Sequence, residues 1–283
     1  MFDFFYSNCY TQLMKQITDI NEMHTLLLGT LEFIDKVCKE NNIKYSVVGG
    51  TAIGAIRHKG FIPWDDDVDI GMLREDYEKF LKIMDSGKYN DTKYKCLHYS
   101  PLYPNYYYRF AKMVDTTTSL TESVLVRNEY LGLYVDIFPF DYANLKTIKT
   151  LIKKTQRYST FLVLASRTKY IWNKKFFKNF VTLPAYIWAK IFGKKYWINK
   201  CFNIEKLSNS SPSIFINAFS GCYGLKEVMP KNIYDETISV PFENIKVEIF
   251  KNYDTYLFGA YGDYMTPPPP EKRKTHSITV FKK

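Results

Sequence analysis

The 283-residue sequence has no long run of apolar residues. Residues 180–189 are apolar but too few for the ~20 residues of a membrane-spanning helix. Residues 207–225 carry no charge but are rich in Ser and Asn. The N-terminal residues lack the basic start of a secretory signal. We therefore expect a cytoplasmic chain rather than an integral membrane protein.

Cysteine is scarce, and no two cysteines lie within four positions of each other. The spacing excludes a CxxC zinc site, and five scattered cysteines argue against a disulfide framework. We expect free, mostly buried thiols at all five positions, which are Cys9, Cys38, Cys96, Cys201 and Cys222.

Acidic residues are absent from residues 142–200, which contain 14 Lys and Arg. The rest of the chain has 25 basic and 29 acidic residues, so this segment accounts for the net charge of +10. It also contains Trp172, Trp188 and Trp197. Positive charge interleaved with aromatic rings suits an anionic bilayer surface or a nucleic acid, and a solvated helical face is the third interpretation. We favour peripheral contact with a membrane surface and regard nucleic acid as the least favoured.

The remaining composition is that of a globular protein, with 46% hydrophobic and 24% charged residues. Helical and strand patterns alternate early in the chain, and strand patterns follow one another later. This order predicts an α/β fold with a mixed sheet, flanking helices and an appended basic helical segment. We expect a catalytic core at 1–141, the basic aromatic helical segment at 142–200 and a C-terminal part completing the cleft at 201–283. The predicted helices are 23–40, 51–57, 74–84 and 253–261, and the predicted strands are 44–48, 67–72, 94–99, 107–114, 119–126, 133–138, 237–240 and 244–248.

Four carboxylates fall within five positions at Asp65, Asp66, Asp67 and Asp69. Close like charges repel by ~1 kcal/mol per pair in water and by more when desolvated. Residues i and i+2 of a strand share a face, so Asp67 and Asp69 would project together while the apolar neighbours enter the core. Such a pair is suited to Mg²⁺, which prefers oxygen ligands. An exposed acidic turn remains the alternative, chiefly for Asp65 and Asp66.

Two further features accompany this pair. Gly49, Gly50 and Thr51 lie between a predicted strand and a predicted helix, where Thr51 could cap the helix and backbone N–H groups could approach a phosphate. Asp136 lies within an apolar strand pattern, where a carboxylate is costly to bury unless it pairs or binds a metal. A strand next to that of Asp69 would bring Asp136 to the same cation.

Three blocks of the sequence resemble the LicD family of cell-surface glycan phosphotransferases, which has fukutin-type relatives in animals. The blocks are GGTAIGAIRHKGFIPWDDDVDIGMLREDYEKF from Gly49 to Phe80, VDIFPFD from Val135 to Asp141, and YGDYMTPPPPEKRKTH from Tyr261 to His276. The basic segment matches no block.

The resemblance implies a nucleotidyltransferase-like fold and Mg-dependent transfer of phosphocholine, ribitol phosphate or glycerol phosphate. The donor would be a CDP-linked alcohol, and the acceptor a sugar hydroxyl of a cell-surface polysaccharide or its polyprenyl-linked precursor, with CMP released. Asp67 and Asp69 match the family's metal pair and Asp136 its third carboxylate, for Mg²⁺ or Mn²⁺. Ala52 and Ile53 replace a leucine pair, and clustered cysteines are lacking, so no zinc site is expected.

Other candidates for donor binding rest on the resemblance and on charge. They are Arg57, Lys112, Arg273 and His276, together with Gly49, Gly50 and Thr51. A nucleotidyltransferase acting on nucleic acid or small nucleotides remains an alternative, and so does a non-catalytic binding protein. Abundant tyrosines would suit an aromatic cage for choline, but Tyr would equally hydrogen-bond ribitol or glycerol.

Overall fold

The structure, a computed structural model, describes residues 15–122, 131–273, 275 and 278–283. Within these residues lie six α-helices. They are α1 (Ile20–Glu40), α2 (Gly49–Arg57), α3 (Arg74–Asp85), α4 (Ile148–Ser166), α5 (Phe176–Asn209) and α6 (Tyr253–Tyr261).

The strands form one large mixed sheet, a small three-stranded sheet and a hairpin. The large sheet has the order β2-β3-β7-β5-β4, with β8 on the far end of β7 and β9 on β8. The small sheet has the order β1-β12-β6, and the hairpin is β10-β11. Their bounds are β1 (Lys15–Ile17), β2 (Ser46–Val47), β3 (Asp69–Leu73), β4 (Tyr94–Leu97), β5 (Ala111–Asp115), β6 (Thr118–Glu122), β7 (Tyr134–Tyr142), β8 (Phe215–Asn217), β9 (Met229–Pro230), β10 (Thr237–Phe242), β11 (Ile245–Phe250) and β12 (Ile278–Lys282).

The first helix shows why local sequence patterns succeed in much of this fold. Leu27, Leu31 and Ile34 recur at helical spacing, and all three are buried in the main core. The helix begins three residues before the predicted residue 23 because the Asp19 carboxylate accepts a hydrogen bond from the Asn21 N–H at 2.9 Å. It ends at Glu40, as predicted.

The predicted strand 133–138 ends four residues too early. Strand β7 continues through Pro139 to Tyr142, and helix α4 begins only at Ile148. The Asp136 N–H points to β3, where it donates to the Val68 carbonyl at 2.8 Å. The missing N–H of Pro139 therefore faces the other side, in the gap between the end of the β5 pairing at Ile137 and the start of the β8 pairing at Asp141. Proline is tolerated there because no ladder bond is lost.

Strands β3 and β5 begin later than the predicted strands 67–72 and 107–114. Strand β3 begins at Asp69, so Asp67 lies in the preceding loop and not on the strand. The β3–β7 ladder starts at Asp69, so Asp67 lies before its first residue pair. Strand β5 begins at Ala111 because residues 103–110 form a loop, and residues 123–126 of the predicted strand 119–126 lie outside the described residues.

The basic segment is helical, as predicted. Helices α4 and α5 pack through a separate apolar cluster that includes Leu162, Ala189 and Trp197. Gly193 interrupts α5 with a φ of 73°. None of the helices in the described ranges is long and apolar enough to cross a bilayer. The division at residues 141 and 200 stays a prediction.

The cysteines that the structure describes are free thiols. Cys38, Cys96 and Cys201 are buried and Cys222 is exposed, whereas Cys9 lies outside the described residues.

Candidate active site

Three charged side chains stand in a row across the centre of the large sheet. Asp69 on β3 is paired in register with Asp136 on the parallel strand β7. Asp136 is in turn paired with Lys112 on the antiparallel strand β5. Residues paired across neighbouring strands project to the same face, so sheet register alone brings together two predicted carboxylates and a predicted donor-binding lysine.

Lys112 neutralises Asp136. Its Nζ donates to Asp136 Oδ1 at 2.7 Å, and the lysine is only 1% exposed. The same Nζ lies 3.3 Å from the ring centroid of Tyr134 and 4.4 Å from that of Tyr108. A buried ammonium needs a charge partner, and the aromatic faces add cation–π attraction. The lysine thus fixes the position of the carboxylate.

Gly49 and Gly50 lie against carboxylates of the acidic block, which consists of the aspartates at positions 65, 66, 67 and 69. A Cβ on Gly49 would lie 2.8 Å from Asp69 Oδ2, and one on Gly50 would lie 2.5 Å from Asp65 Oδ2. Gly49 also has a φ of +60°, a conformation that favours glycine. The close approach of helix α2 to Asp65 and Asp69 therefore requires the absence of side chains at both positions.

Thr51 has a different local role from the predicted cap. Helix α2 begins two residues earlier, at Gly49, so Thr51 lies inside its first turn. The Thr51 hydroxyl accepts a hydrogen bond from the Asp69 N–H at 2.9 Å. The Gly49 N–H donates to the Tyr256 hydroxyl at 3.0 Å. Together these bonds fasten the start of α2 to β3 and to α6.

The electrostatics at Asp69 suit a cation. Burial raises the pKa of Asp69 well above its usual range, and the neighbouring charges of Asp67, Asp136 and Asp65 raise it further, while Lys112 opposes them. A divalent cation would reverse this shift, and carboxylate oxygens are ligands that Mg²⁺ prefers. Among the residues that the structure describes, no group of three or more His, Cys, Asp or Glu side chains could hold a metal ion. The assignment of Asp67, Asp69 and Asp136 as metal ligands stays a prediction.

A small cleft opens beside the row. Its volume is about 90 Å³, and its lining includes Asp66, Asp67, Tyr134 and Asp136. Leu120 and Ile278 of the small sheet complete the lining, together with Leu133. The C-terminal strand β12 therefore borders this cleft through Ile278, and the assignment of 201–283 as the part that completes the catalytic cleft stays a prediction.

The outlying donor-binding candidates lie around this centre. The Arg57 side chain donates to the Tyr264 carbonyl at 2.5 Å, and burial lowers its pKa. The Arg273 guanidinium lies 4.2 Å from the ring centroid of Trp64, next to the acidic block. These contacts attach the third resembling block to the first. His276 lies outside the described residues.

Several nearby residues were not predicted from the sequence. Besides Tyr256, they include Glu227, which receives a hydrogen bond from the Tyr223 N–H at 3.2 Å and whose pKa burial raises to about 7. These residues come from distant segments and carry no motif. Tyr134 alone had a signal, since it lies two positions before Asp136 on one strand and so shares its face.

Several known proteins are similar to this chain in sequence. Residues 42–185 match the family model described as LicD/FKTN/FKRP, nucleotidyltransferase domain. The lipopolysaccharide cholinephosphotransferase LicD of Haemophilus influenzae is 30% identical over 277 residues, which cover 94% of this chain and 98% of that protein. The ribitol 5-phosphate transferase FKRP of Homo sapiens is 40% identical over 50 residues, 18% of this chain and 10% of that protein.

An uncharacterized protein of Rickettsia prowazekii, RP689, is 48% identical over 62 residues, which are 22% of each chain. The two named relatives of known activity are phosphotransferases, and this chain is a phosphotransferase as well. The chain belongs to the LicD family.

Proposed function

We propose that this enzyme transfers a phospho-alcohol from a CDP-linked donor to a sugar hydroxyl of a cell-surface polysaccharide or its lipid-linked precursor. The alcohol would be choline, or else ribitol or glycerol, and CMP would leave. The observation that carries the proposal is the register of Asp69, Asp136 and Lys112 on three adjacent strands, directly beside Gly49 and Gly50. The printed activities of the two named relatives, cholinephosphotransferase and ribitol 5-phosphate transferase, support it.

A nucleotidyltransferase-like arrangement of the core is part of the same proposal. In its support, the family model carries that description, and the carboxylates lie on neighbouring strands of a mixed sheet. Asp67 and Asp69 would hold Mg²⁺ or Mn²⁺ with Asp136 close by. When bound, the ion would neutralise charge on the donor diphosphate, as in other phosphoryl-transfer sites.

The reaction forms one bond and breaks one. The acceptor hydroxyl oxygen bonds to the phosphorus that bears the alcohol, and the bond from that phosphorus to the bridging oxygen breaks, so CMP leaves with that oxygen. Asp136, held by Lys112, would orient the hydroxyl and take its proton. The amides of Gly50 and Thr51 lie in the first turn of α2, where N–H groups lack helical acceptors and suit donor phosphates. Arg57 and Arg273 would contribute positive charge at the edge.

The experiment that tests this function compares donors. Purified protein with Mg²⁺ is incubated with CDP-choline, CDP-ribitol, CDP-glycerol or nucleoside triphosphates, and the products are identified by mass spectrometry. CMP released from one CDP-alcohol supports the proposal. Pyrophosphate released from a nucleoside triphosphate would instead support the rival nucleotidyltransferase, and no product from any donor would favour a binding protein.

We also propose peripheral contact with an anionic membrane through helix α5. Its N-terminal part has an exposed apolar stripe in which residues recur at helical spacing, and Phe177 is 83% and Val181 73% exposed. Lys174, Lys175 and Lys178 lie beside it. Each basic residue near an anionic bilayer adds ~1 kcal/mol of attraction. The stripe consists of Phe177, Phe180, Val181, Ile187, Trp188 and Ile191.

Liposome flotation tests this contact. Wild-type protein should float with anionic vesicles at low salt, and Phe177→Glu should reduce the bound fraction severalfold, because the substitution removes apolar area and adds a repelled charge. Phe258→Glu is the matched control, since Phe258 is a 67% exposed phenylalanine on α6, outside the stripe. Wild-type protein that stays with the unbound fraction would defeat this proposal.

A further inference from the structure

A second cavity among the described residues lies outside the small acidic cleft. Its volume is about 590 Å³, within the roughly 300–1,000 Å³ typical of ligand pockets. Helix α3, the loop before β5 and the part of α5 after Gly193 form its walls. We call it the α3–α5 cavity.

The walls combine aromatic faces with fixed polar groups. The rings of Tyr99 and Phe202 lie 5.5 Å apart, as do those of Tyr108 and Phe110. Faces of this kind pack against the C–H faces of sugar rings, and the rings lose little conformational entropy when a ligand packs on them. A purely lipidic ligand would not need the charged residues that share this wall.

Two guanidiniums in the wall are held rigidly. Arg74 donates to both oxygens of Asp141, at 2.7 and 2.9 Å, and to Glu205 at 2.8 Å. Arg109 lies 3.4 Å from the other Glu205 oxygen. A guanidinium has five N–H donors, so each can keep its carboxylate and still donate to a hydroxyl. The paired carboxylates offset the positive charge, which suits a neutral polyol better than a bare phosphate.

The cavity adjoins the row of Asp69, Asp136 and Lys112 on the side away from the glycine pair. Tyr108 and Phe110 line the cavity, and their ring centroids lie 4.4 and 5.1 Å from Lys112 Nζ. That Nζ holds Asp136. Across the sheet the order is therefore helix α2, Asp69, Asp136, Lys112 and the cavity. In phosphoryl transfer the attacking and leaving oxygens lie roughly in line, so a donor bound at α2 requires an acceptor on the opposite side.

We propose that the α3–α5 cavity is the acceptor subsite and binds a sugar ring of the glycan. This inference rests on the proposed function only for the direction of transfer, because sugar binding itself requires no donor. The cavity wall follows the apolar stripe along α5, just beyond the kink at Gly193, and this proximity favours a lipid-linked acceptor over the donor cytidine as the occupant.

Saturation-transfer NMR with a panel of methyl glycosides (galactoside, glucoside, and the two N-acetylhexosaminides) tests binding without catalysis. At least one glycoside should bind the wild-type protein, and Phe202→Ala should weaken that binding about tenfold through loss of the aromatic face. Asn203→Trp, at the exposed rim, should block the cavity without removing packed side chains. Phe258→Ala is the control and should bind as the wild type does.

Activity then separates the two proposals. Phe202→Ala and Asn203→Trp should raise the KM for the glycan acceptor, whereas the KM for the donor should stay that of the wild type. If the donor KM rises instead, the cavity holds the cytidine and the inference is wrong. It is equally wrong if no glycoside binds, or if binding survives both substitutions. Absence of CMP release with normal glycoside binding would overturn the proposed function but not this subsite.

Discussion

Two regions of the molecule differ from a typical folded protein. The row on the large sheet contains buried charge, whereas the basic helices α4 and α5 expose large apolar side chains. In the row, Lys112 and Asp136 are buried, and Lys112 Nζ donates to Asp136 Oδ1 at 2.7 Å. In α5, large apolar groups such as Phe177 are exposed. Buried charge and contiguous exposed apolar surface both cost free energy unless something binds there. Under the proposed function, the first region would bind an ion and a diphosphate, and the second would bind a membrane surface.

The largest effect should come from removing charge in the row. Asp69→Asn keeps the side-chain shape and should lower the rate of CMP release by about 10²–10³-fold, the cost of losing one preorganised electrostatic contact. Asp67→Asn and Asp136→Asn should fall in the same range. Thermal stability of Asp69→Asn should not fall, because neighbouring carboxylates already disfavour its charged form.

Asp91→Asn is the matched control, since Asp91 is exposed in a turn remote from the sheet row. Wild-type rates in the Asp67, Asp69 and Asp136 variants would remove the distinction between the two regions.

The next effect concerns the buried ion pair. Lys112→Met leaves the Asp136 carboxylate buried without its cation and should reduce the free energy of unfolding by about 3–5 kcal/mol. The double variant Lys112→Met with Asp136→Asn should recover most of that loss, because no charge then remains unpaired. Urea denaturation of the four proteins in this cycle measures the coupling. Additive losses would show that the contact has no energetic role.

A smaller effect tests the close approach of α2. Gly49→Ala should destabilise the protein by about 1–3 kcal/mol and slow CMP release, because its φ is +60° and the added Cβ would lie 2.8 Å from Asp69 Oδ2. Gly259→Ala, in α6 with nothing within 4 Å of the added Cβ, should be neutral or slightly stabilising. Thermal melting and initial rates of CMP release are measured for both variants. Equal melting temperatures and equal rates would contradict the assigned geometry.

The smallest expected effect is a pH dependence of the free energy of unfolding that comes from Glu205, where α5 meets the core. Burial, and then the charge of Asp141, raise its pKa to about 7 despite Arg74 and Arg109. Because the folded state binds this proton more tightly than the unfolded state, stability should fall as pH rises from about 4.5 to about 7, by at most ~1.4 kcal/mol per pH unit. Glu205→Gln should flatten that slope in urea denaturation. An unchanged slope would show that another group titrates.

The sequence predicted those parts of the molecule that depend on local patterns. Helix α1, helix α3 and the hairpin β10-β11 follow from periodicity, and the carboxylates of the row follow from short spacings on apolar strands. The pairing of Lys112 with Asp136 did not follow, because strand register is a non-local property. The bond from Gly49 to Tyr256 spans 207 positions and has no local signal.

Pro139 is a second case in which a non-local property decides the structure. Proline usually interrupts a strand, but its effect depends on which neighbouring strand its missing N–H would face. That neighbour is set by where β5 and β8 end on β7. The polar network of Arg74, Asp141 and Glu205 likewise joins three distant segments.

The most direct test of the central claim is a crystal of the protein with Mn²⁺ and CDP-choline, measured for anomalous scattering from manganese. The account predicts one or two anomalous peaks bounded by the carboxylates of Asp67 and Asp69, with Asp136 next to them and the diphosphate at the start of α2. A manganese peak elsewhere, with these three side chains untouched by ion or diphosphate, would contradict it.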